Sequence, residues 1–134
     1  MKWILGTVLS LSLLTAGCAD PVPPVTPTPI DPNITETFTG TLVVLGLNTH
    51  PFTVQQVGGV TVTLTDMTPS AAVTLGVGTS GATGCSLIRF VTAVAGTTPQ
   101  LSGTASTTGN FCVSISDGGN LVEPVNYTIV VRHP

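Results

Sequence analysis

The sequence has very few charged and very few aromatic residues. Charged residues make up 7% and aromatic residues 4% of the 134 positions, and the formal net charge at pH 7 is −3. The only lysine or arginine residues are Lys2, Arg89 and Arg132. A nucleic-acid-binding surface needs clustered basic residues, and stacking on bases needs aromatic side chains beside them. This composition therefore excludes nucleic acid as a partner.

The sequence also lacks the motifs of hydrolytic enzymes and of metal sites. It contains no G-x-S-x-G turn, and neither histidine has ligand spacing to a cysteine. His50 precedes Pro51 at an expected turn, and His133 is next to last, so we expect both histidines to be solvent-facing. Asp66 and Asp117 follow expected strands, where aspartate favours turns. We predict no catalytic residue, no metal site and no cofactor.

The N-terminus has the pattern of a secretory signal. Lys2 precedes an apolar stretch at residues 3–14, which is shorter than the roughly 20 residues of a membrane span. Small residues then lead to Cys18, and the pattern resembles the lipobox of bacterial lipoproteins. The resemblance implies that signal peptide 1–17 is cleaved between Gly17 and Cys18, and that Cys18 is lipidated. The alternative is a plain secretory signal, with Cys18 as an ordinary thiol.

A proline-rich tether is predicted at residues 18–35. Residues 19–33 contain six of the eleven prolines, which favours extended polyproline II at about 3.1 Å per residue, or roughly 45 Å in all. Two or three acyl chains would hold the protein permanently at a membrane. Ala19 is not the aspartate that retains many such lipoproteins at the inner membrane, so we expect the outer membrane if the host has one. The alternative is a leader without a selected length.

Residues 36–134 are predicted to form one all-β domain. In residues 60–66, valine and leucine alternate with threonine, which is typical of a half-buried strand. Residues 85–94 are mostly apolar and are expected to be covered on both faces, and residues 100–106 are a weaker eighth candidate. Glycine-rich turns separate the strands, and no segment has helical periodicity. The sequence predicts an antiparallel β-sandwich, jelly-roll-like, with seven or eight strands. The alternation assigns further residues to the core: Phe38, Leu42, Val44, Phe52, Val54, Val73, Leu75, Val77, Phe111, Val113, Ile115, Tyr127, Ile129 and Val131.

Two cysteines remain if Cys18 is lipidated. Cys85 and Cys112 are an even number in an oxidising compartment, so we predict a disulfide between them. Cys112 has the opposite phase to Phe111 and Val113, so its side chain should point away from the core. The bridge is then expected on the outer face, near a sheet edge, or at a bend.

Two strand patterns resemble those of bacterial pre-peptidase C-terminal domains, over about residues 36–133. The G-x-Y-x-V-x-V pattern of that family is matched by Gly109, Phe111, Val113 and Ile115, and its closing Y-T-L-x-V pattern by Tyr127, Thr128, Ile129 and Val131. The resemblance implies a small β-sandwich of a kind often appended to secreted proteases. Many of these domains carry an acidic D-x-D-L strand linked to calcium. Residues 71–77 contain no acid here, so calcium binding is not expected.

These observations favour a membrane-anchored, non-catalytic lipoprotein of the cell envelope whose sandwich is a binding or accessory module. The candidate binding loops are residues 76–84 and 116–124. Without Trp3 the chain has no tryptophan, and the aromatic residues Phe38, Phe52, Phe111 and Tyr127 lie in core phase. We therefore expect a protein partner rather than a glycan. The alternatives are a purely structural envelope component and a hydrolase.

Overall fold

The structure, a computed structural model, describes Gly17, residues 19–26 and residues 34–134. Nearly all of the predicted signal peptide, the predicted lipid site at Cys18 and part of the predicted tether lie outside the described residues. Residues 19–26 have no regular secondary structure, and their side chains are exposed. Among the residues that the structure describes, no helix is long and apolar enough to cross a membrane.

The described domain consists of β-strands, as predicted. Strand β1 begins at Ile34, two residues before the predicted domain start. Each candidate strand of the sequence, including the weak eighth candidate, corresponds to a strand of the structure. The strands are β1 (Ile34–Leu42), β2 (Leu47–Val54), β3 (Gly58–Thr68), β4 (Val73–Gly81), β5 (Gly84–Ala93), β6 (Leu101–Ala105), β7 (Gly109–Ser116) and β8 (Val125–His133).

The strands form two four-stranded antiparallel sheets with a jelly-roll order. One sheet has the order β1-β8-β3-β6 and the other β2-β7-β4-β5. Only β4 and β5 are joined as a hairpin within one sheet, and every other connection crosses between the sheets. Such crossings bury one face of each sheet against the other. The predicted fold class, an antiparallel β-sandwich of the jelly-roll kind, is confirmed.

The core follows the alternation of the sequence. Val62 and Leu64 of β3, Leu75 of β4 and Ile129 of β8 are almost completely buried between the sheets. Threonines occupy the intervening positions 61, 63 and 65 of β3, where a β-branched side chain suits a pleated surface. The core prediction was wrong for Val44, which lies in the turn after β1 and is exposed.

Cys85 and Cys112 form the predicted disulfide, with their Cα atoms 5.8 Å apart. Their strands are not neighbours, because β4 lies between β5 and β7. The start of β5 approaches β4 so closely that a Cβ at Gly78 would overlap the carbonyl oxygen of Ser86. Cys112 is paired with Gly78. The missing side chain at Gly78 therefore lets β5 come near enough to β7 for the bridge, on the outer face that the phase of Cys112 predicts.

The prediction that residues 85–94 are covered on both faces was wrong. These residues form β5, which is an edge strand. Leu87, Ile88 and Phe90 are exposed, and only Ala93 at the end of the strand is buried. Mostly apolar runs are typical of strands that other elements cover on both faces. Strand β5 instead lies at the edge of its sheet, where most of its side chains remain exposed. Strand β5 therefore presents an apolar surface at the side of the sandwich.

Candidate functional site

The two ends of the sandwich are formed by different loops. Ile34, where β1 begins, is paired with His133 at the end of β8, so the predicted tether joins the domain here, at what we call the near end. The opposite, far end is formed by residues 43–46, 69–72, 94–100 and 117–124. Strand β1 has nine residues, which separates the two ends by about 30 Å.

Exposed aliphatic side chains concentrate at the far end. Five of them, in or beside the two loops after β1 and β7, are between 42% and 93% exposed, and we call this set the apolar tip: Val43, Val44, Leu45, Leu47 and Val122. By contrast, the near-end loops of residues 34–134 contribute only Val57 to the exposed large hydrophobic residues. Single exposed aliphatic residues are normal, but a cluster of them marks a surface that contacts a partner.

Asp117 holds two loops of the far end together. Its Oδ2 atom accepts a hydrogen bond of 2.8 Å from the amide of Leu45, in the turn after β1. Its Oδ1 atom accepts bonds from the amides of Gly119, Asn120 and Leu121, in the loop after β7. The bond from Leu45 lowers the pKa of this carboxyl; burial opposes that shift, and the other three amides lower the pKa further. The charged carboxylate therefore fixes the apolar tip in place.

The charges at the far end are all acidic. Glu123 is exposed in the loop after β7, and Asp66 is exposed near the far end of β3. The four far-end loops contain no lysine or arginine. The apolar tip is therefore an aliphatic surface with a negative rim.

A cluster of polar side chains joins the sheets on the β1 and β2 side of the sandwich. The Tyr127 hydroxyl lies 2.7 Å from Nε2 of His50 and accepts a bond of 3.0 Å from Nδ2 of Asn48. The His50 ring stacks on Phe38 with their centroids 4.9 Å apart. Burial lowers the pKa of His50 and raises that of Tyr127, where the Asn48 bond opposes the rise. Both shifts favour neutral rings, with the tyrosine hydroxyl donating to the histidine.

The prediction that both histidines face solvent was wrong. His50 is half-buried, and His133 is only 1% exposed. Nε2 of His133 lies 2.8 Å from Oε1 of Glu36, and its ring packs against Phe52. Both histidines lie in register with the inward residues of their strands, an alternation that the sequence already contained. Pro51 beside His50 and the chain end beside His133 favour exposure locally, but the inward phase of the two strands decides the burial.

The interior histidines of the described residues bond to tyrosine, glutamate and backbone groups. Neither histidine is hydrogen-bonded to a serine, threonine or cysteine side chain within the described residues. In that part of the chain no three histidine, cysteine, aspartate or glutamate side chains are grouped so that they could hold a metal ion. Every buried polar side chain described there has a hydrogen-bond partner. The chemistry of this cluster is the satisfaction of buried polar groups.

A second candidate surface, which we call the lateral cleft, opens between the sheets on the β5 and β6 side. Its volume is about 220 Å³, and Arg89 and Ile88 of β5 line it. Nη1 of Arg89 donates a bond of 2.8 Å to the carbonyl oxygen of Ser102 on β6, in the other sheet. The apolar lining consists mainly of Phe52, Val60, Val62, Leu101, Ala105 and Phe111.

The two predicted binding loops do not lie together. Most of residues 76–84 form the end of β4 and its hairpin at the near end, whereas residues 116–124 lie at the far end. The aromatic residues predicted in core phase do not include Phe90, which is 68% exposed on β5. Arg89 was not recognised as a site residue either. Its position beside an apolar cleft depends on the packing of two sheets, and no local pattern signals it.

No protein-family model matches the chain, and no curated protein is significantly similar to it. The resemblances to bacterial lipoproteins and to pre-peptidase C-terminal domains therefore stay predictions. The candidate sites rest on geometry and chemistry alone.

Proposed function

We propose that this chain is a lipid-anchored, non-catalytic protein of the cell envelope, and that its sandwich binds a partner protein through the apolar tip. The observation that carries the proposal is the position of the tip, at the end of the sandwich opposite Ile34. A chain anchored at Cys18 and extended through residues 19–33 would hold the near end toward the membrane. The apolar tip would then face away from it.

The chemistry of the apolar tip favours one kind of partner. Its aliphatic side chains would bury apolar surface, and the rim of Asp66 and Glu123 would attract positive charge. The partner is therefore a protein with an apolar surface flanked by lysine or arginine. An aromatic platform for sugar stacking is lacking in the four far-end loops, which contain no aromatic residue.

Site-specific photo-crosslinking in intact host cells tests the partner. A photoreactive amino acid at Leu45 or at Val122 is expected to give the same single adduct, and the same label at near-end Val57 is the matched control. The adduct's partner, once identified and purified, should bind the wild-type chain and lose at least tenfold in affinity with Leu45→Lys. Adducts of equal yield from all three positions would contradict the proposal, as would unchanged affinity of the variant.

The anchor has a separate test in the intact mass of the protein from a membrane fraction. The proposal expects a chain that begins at Cys18 and carries acyl groups. An unlipidated chain cleaved elsewhere would make the protein a free secreted domain. That result would remove the role of residues 18–35 as a tether, while the photo-crosslinking result would still report on the apolar tip.

A further inference from the structure

Two of the residues that strand β6 brings to the lateral cleft, Gly103 and Ala105, are small. Leu101, Gly103 and Ala105 are paired with inward positions of β3, and Gly103 lies opposite Val60. A Cβ built on Gly103 would meet no other atom within 4 Å. Gly103 is itself exposed on the edge strand β6, so this space lies at the open mouth of the cleft. The strand therefore leaves open a position that any larger side chain would fill.

A β-bulge in the facing strand directs two successive side chains to the cleft. Val77 is paired with Arg89, and the next residue, Gly78, is paired with Leu87, so Ile88 is an extra residue in β5. In a regular strand, neighbouring side chains point to opposite faces. Here both Ile88 and Arg89 line the cleft. Bulges commonly redirect side chains beside functional sites.

Arg89 brings a positive charge to this apolar site. It is one of two arginines in an acidic domain, and no carboxylate of the described residues lies within ion-pair distance of it. Its one described side-chain hydrogen bond is to the Ser102 carbonyl. A guanidinium group carries five N–H donors, so most of them remain for an anion. The planar N–H array of a guanidinium group matches the geometry of two anions, carboxylate and phosphate.

We propose that the lateral cleft binds a small amphipathic carboxylate, with its chain against Val60, Leu101 and Phe111 and its carboxylate on Arg89. An apolar cavity of 150 Å³ holds benzene, so by proportion 220 Å³ takes roughly nine carbon atoms. A medium-chain fatty acid has this size and charge. The cleft lies at the side of the sandwich and shares no residue with the apolar tip, so this proposal is independent of the partner protein.

Titration calorimetry of the full chain with decanoate, and with decanol as the uncharged match, tests this proposal. Wild type is expected to bind decanoate with one-to-one stoichiometry. Arg89→Gln should weaken decanoate at least tenfold, because a hydrogen-bonded charge is lost, and should change decanol binding less than threefold. Gly103→Leu should abolish binding of both compounds. The matched control is Gly81→Leu, which also adds leucine to open space but outside the cleft lining, and it should bind like wild type.

Several outcomes would overturn the assignment. Absence of decanoate binding to wild type would do so, as would equal losses in Gly103→Leu and Gly81→Leu. Equal effects of Arg89→Gln on decanoate and decanol would remove the carboxylate from the proposal. Circular dichroism and an unchanged melting temperature would show that the variants are folded. Leu45→Lys should leave decanoate affinity unchanged, because a ligand seated on the apolar tip would lose affinity in that variant.

Discussion

The hydroxyl of Tyr127 and Nε2 of His50 lie 2.7 Å apart and connect the two sheets of the sandwich. Tyr127 belongs to β8 and His50 to β2, and the two residues are 77 positions apart in the chain. Gly40 on β1 provides the space, because a Cβ there would lie 2.6 Å from the same hydroxyl. The bond gives the Tyr127 hydroxyl a polar partner in a part of the molecule that is otherwise filled by apolar side chains.

Removing the hydroxyl with Tyr127→Phe should destabilise the domain by about 1–3 kcal/mol, since Asn48 and His50 would lose a partner in a partly buried site. Urea unfolding measures the change. The double variant with His50→Gln should lose less than the sum of the single variants, because the two residues share one bond. If the losses of the two single variants add up to that of the double variant, Tyr127 and His50 have no coupling energy.

Titration of His50 should weaken the fold in mild acid. Burial lowers the pKa of His50 in the folded state below the ordinary histidine value of 6.5, so the unfolded chain binds a proton more readily. The free energy of unfolding should therefore fall as the pH decreases from 6.5 toward the folded-state pKa. His50→Gln should make this decrease smaller. Urea unfolding at pH 7.5 and pH 5 measures this decrease for wild type and for His50→Gln. An equal decrease in the free energy of unfolding for both proteins would contradict the prediction.

Asp117 should determine part of the stability in stronger acid. Its amide bonds, led by that from Leu45, lower the pKa in the folded state below 3.8. The charged Asp117 therefore stabilises the fold fully above pH 3.8. This stabilisation is lost as the pH falls through the lower pKa of the folded state. Asp117→Asn should be less stable at pH 7 and should lose less on acidification. Asp66→Asn is a matched control, because Asp66 is exposed. Identical pH profiles for wild type and Asp117→Asn would refute the role.

Loss of the Cys85–Cys112 bridge should lower the free energy of unfolding by about 3.5 kcal/mol, from the entropy of a loop whose ends are 27 residues apart. The double variant Cys85→Ala/Cys112→Ala, compared with oxidised wild type in urea, measures the effect. Reduced wild type should match the variant. A loss below about 1 kcal/mol would show that the start of β5 is held against β4 by other contacts.

Much of the fold could be predicted because strand alternation is local. Val62 and Leu64 stay on the inner face wherever β3 lies in the sandwich, since successive side chains point to opposite faces. The same rule placed Cys112 on the outer face, and the disulfide followed from the number of cysteines. The same alternation also places His50 and His133 inward, although the neighbours of both residues favour turns or chain ends.

The exposed surfaces could not be predicted in this way. Whether a mostly apolar strand such as β5 is central or at an edge depends on the order in which distant segments pair. The lateral cleft requires Gly103 of one sheet to face the bulge at Ile88 of the other. Likewise, the apolar tip requires Val44 and Val122, from separate loops, to lie at the same end.

The sequence by itself determined the strand segments, the residues that alternate toward the core, and the pairing of the two cysteines of the domain. These depend on side-chain periodicity and on residue counts. Only the tertiary structure decided that Tyr127 meets His50, that β5 is an edge, and that Arg89 lies beside an apolar cleft. Such contacts join residues far apart in the chain, and the packing of two sheets, rather than local preference, brings them together.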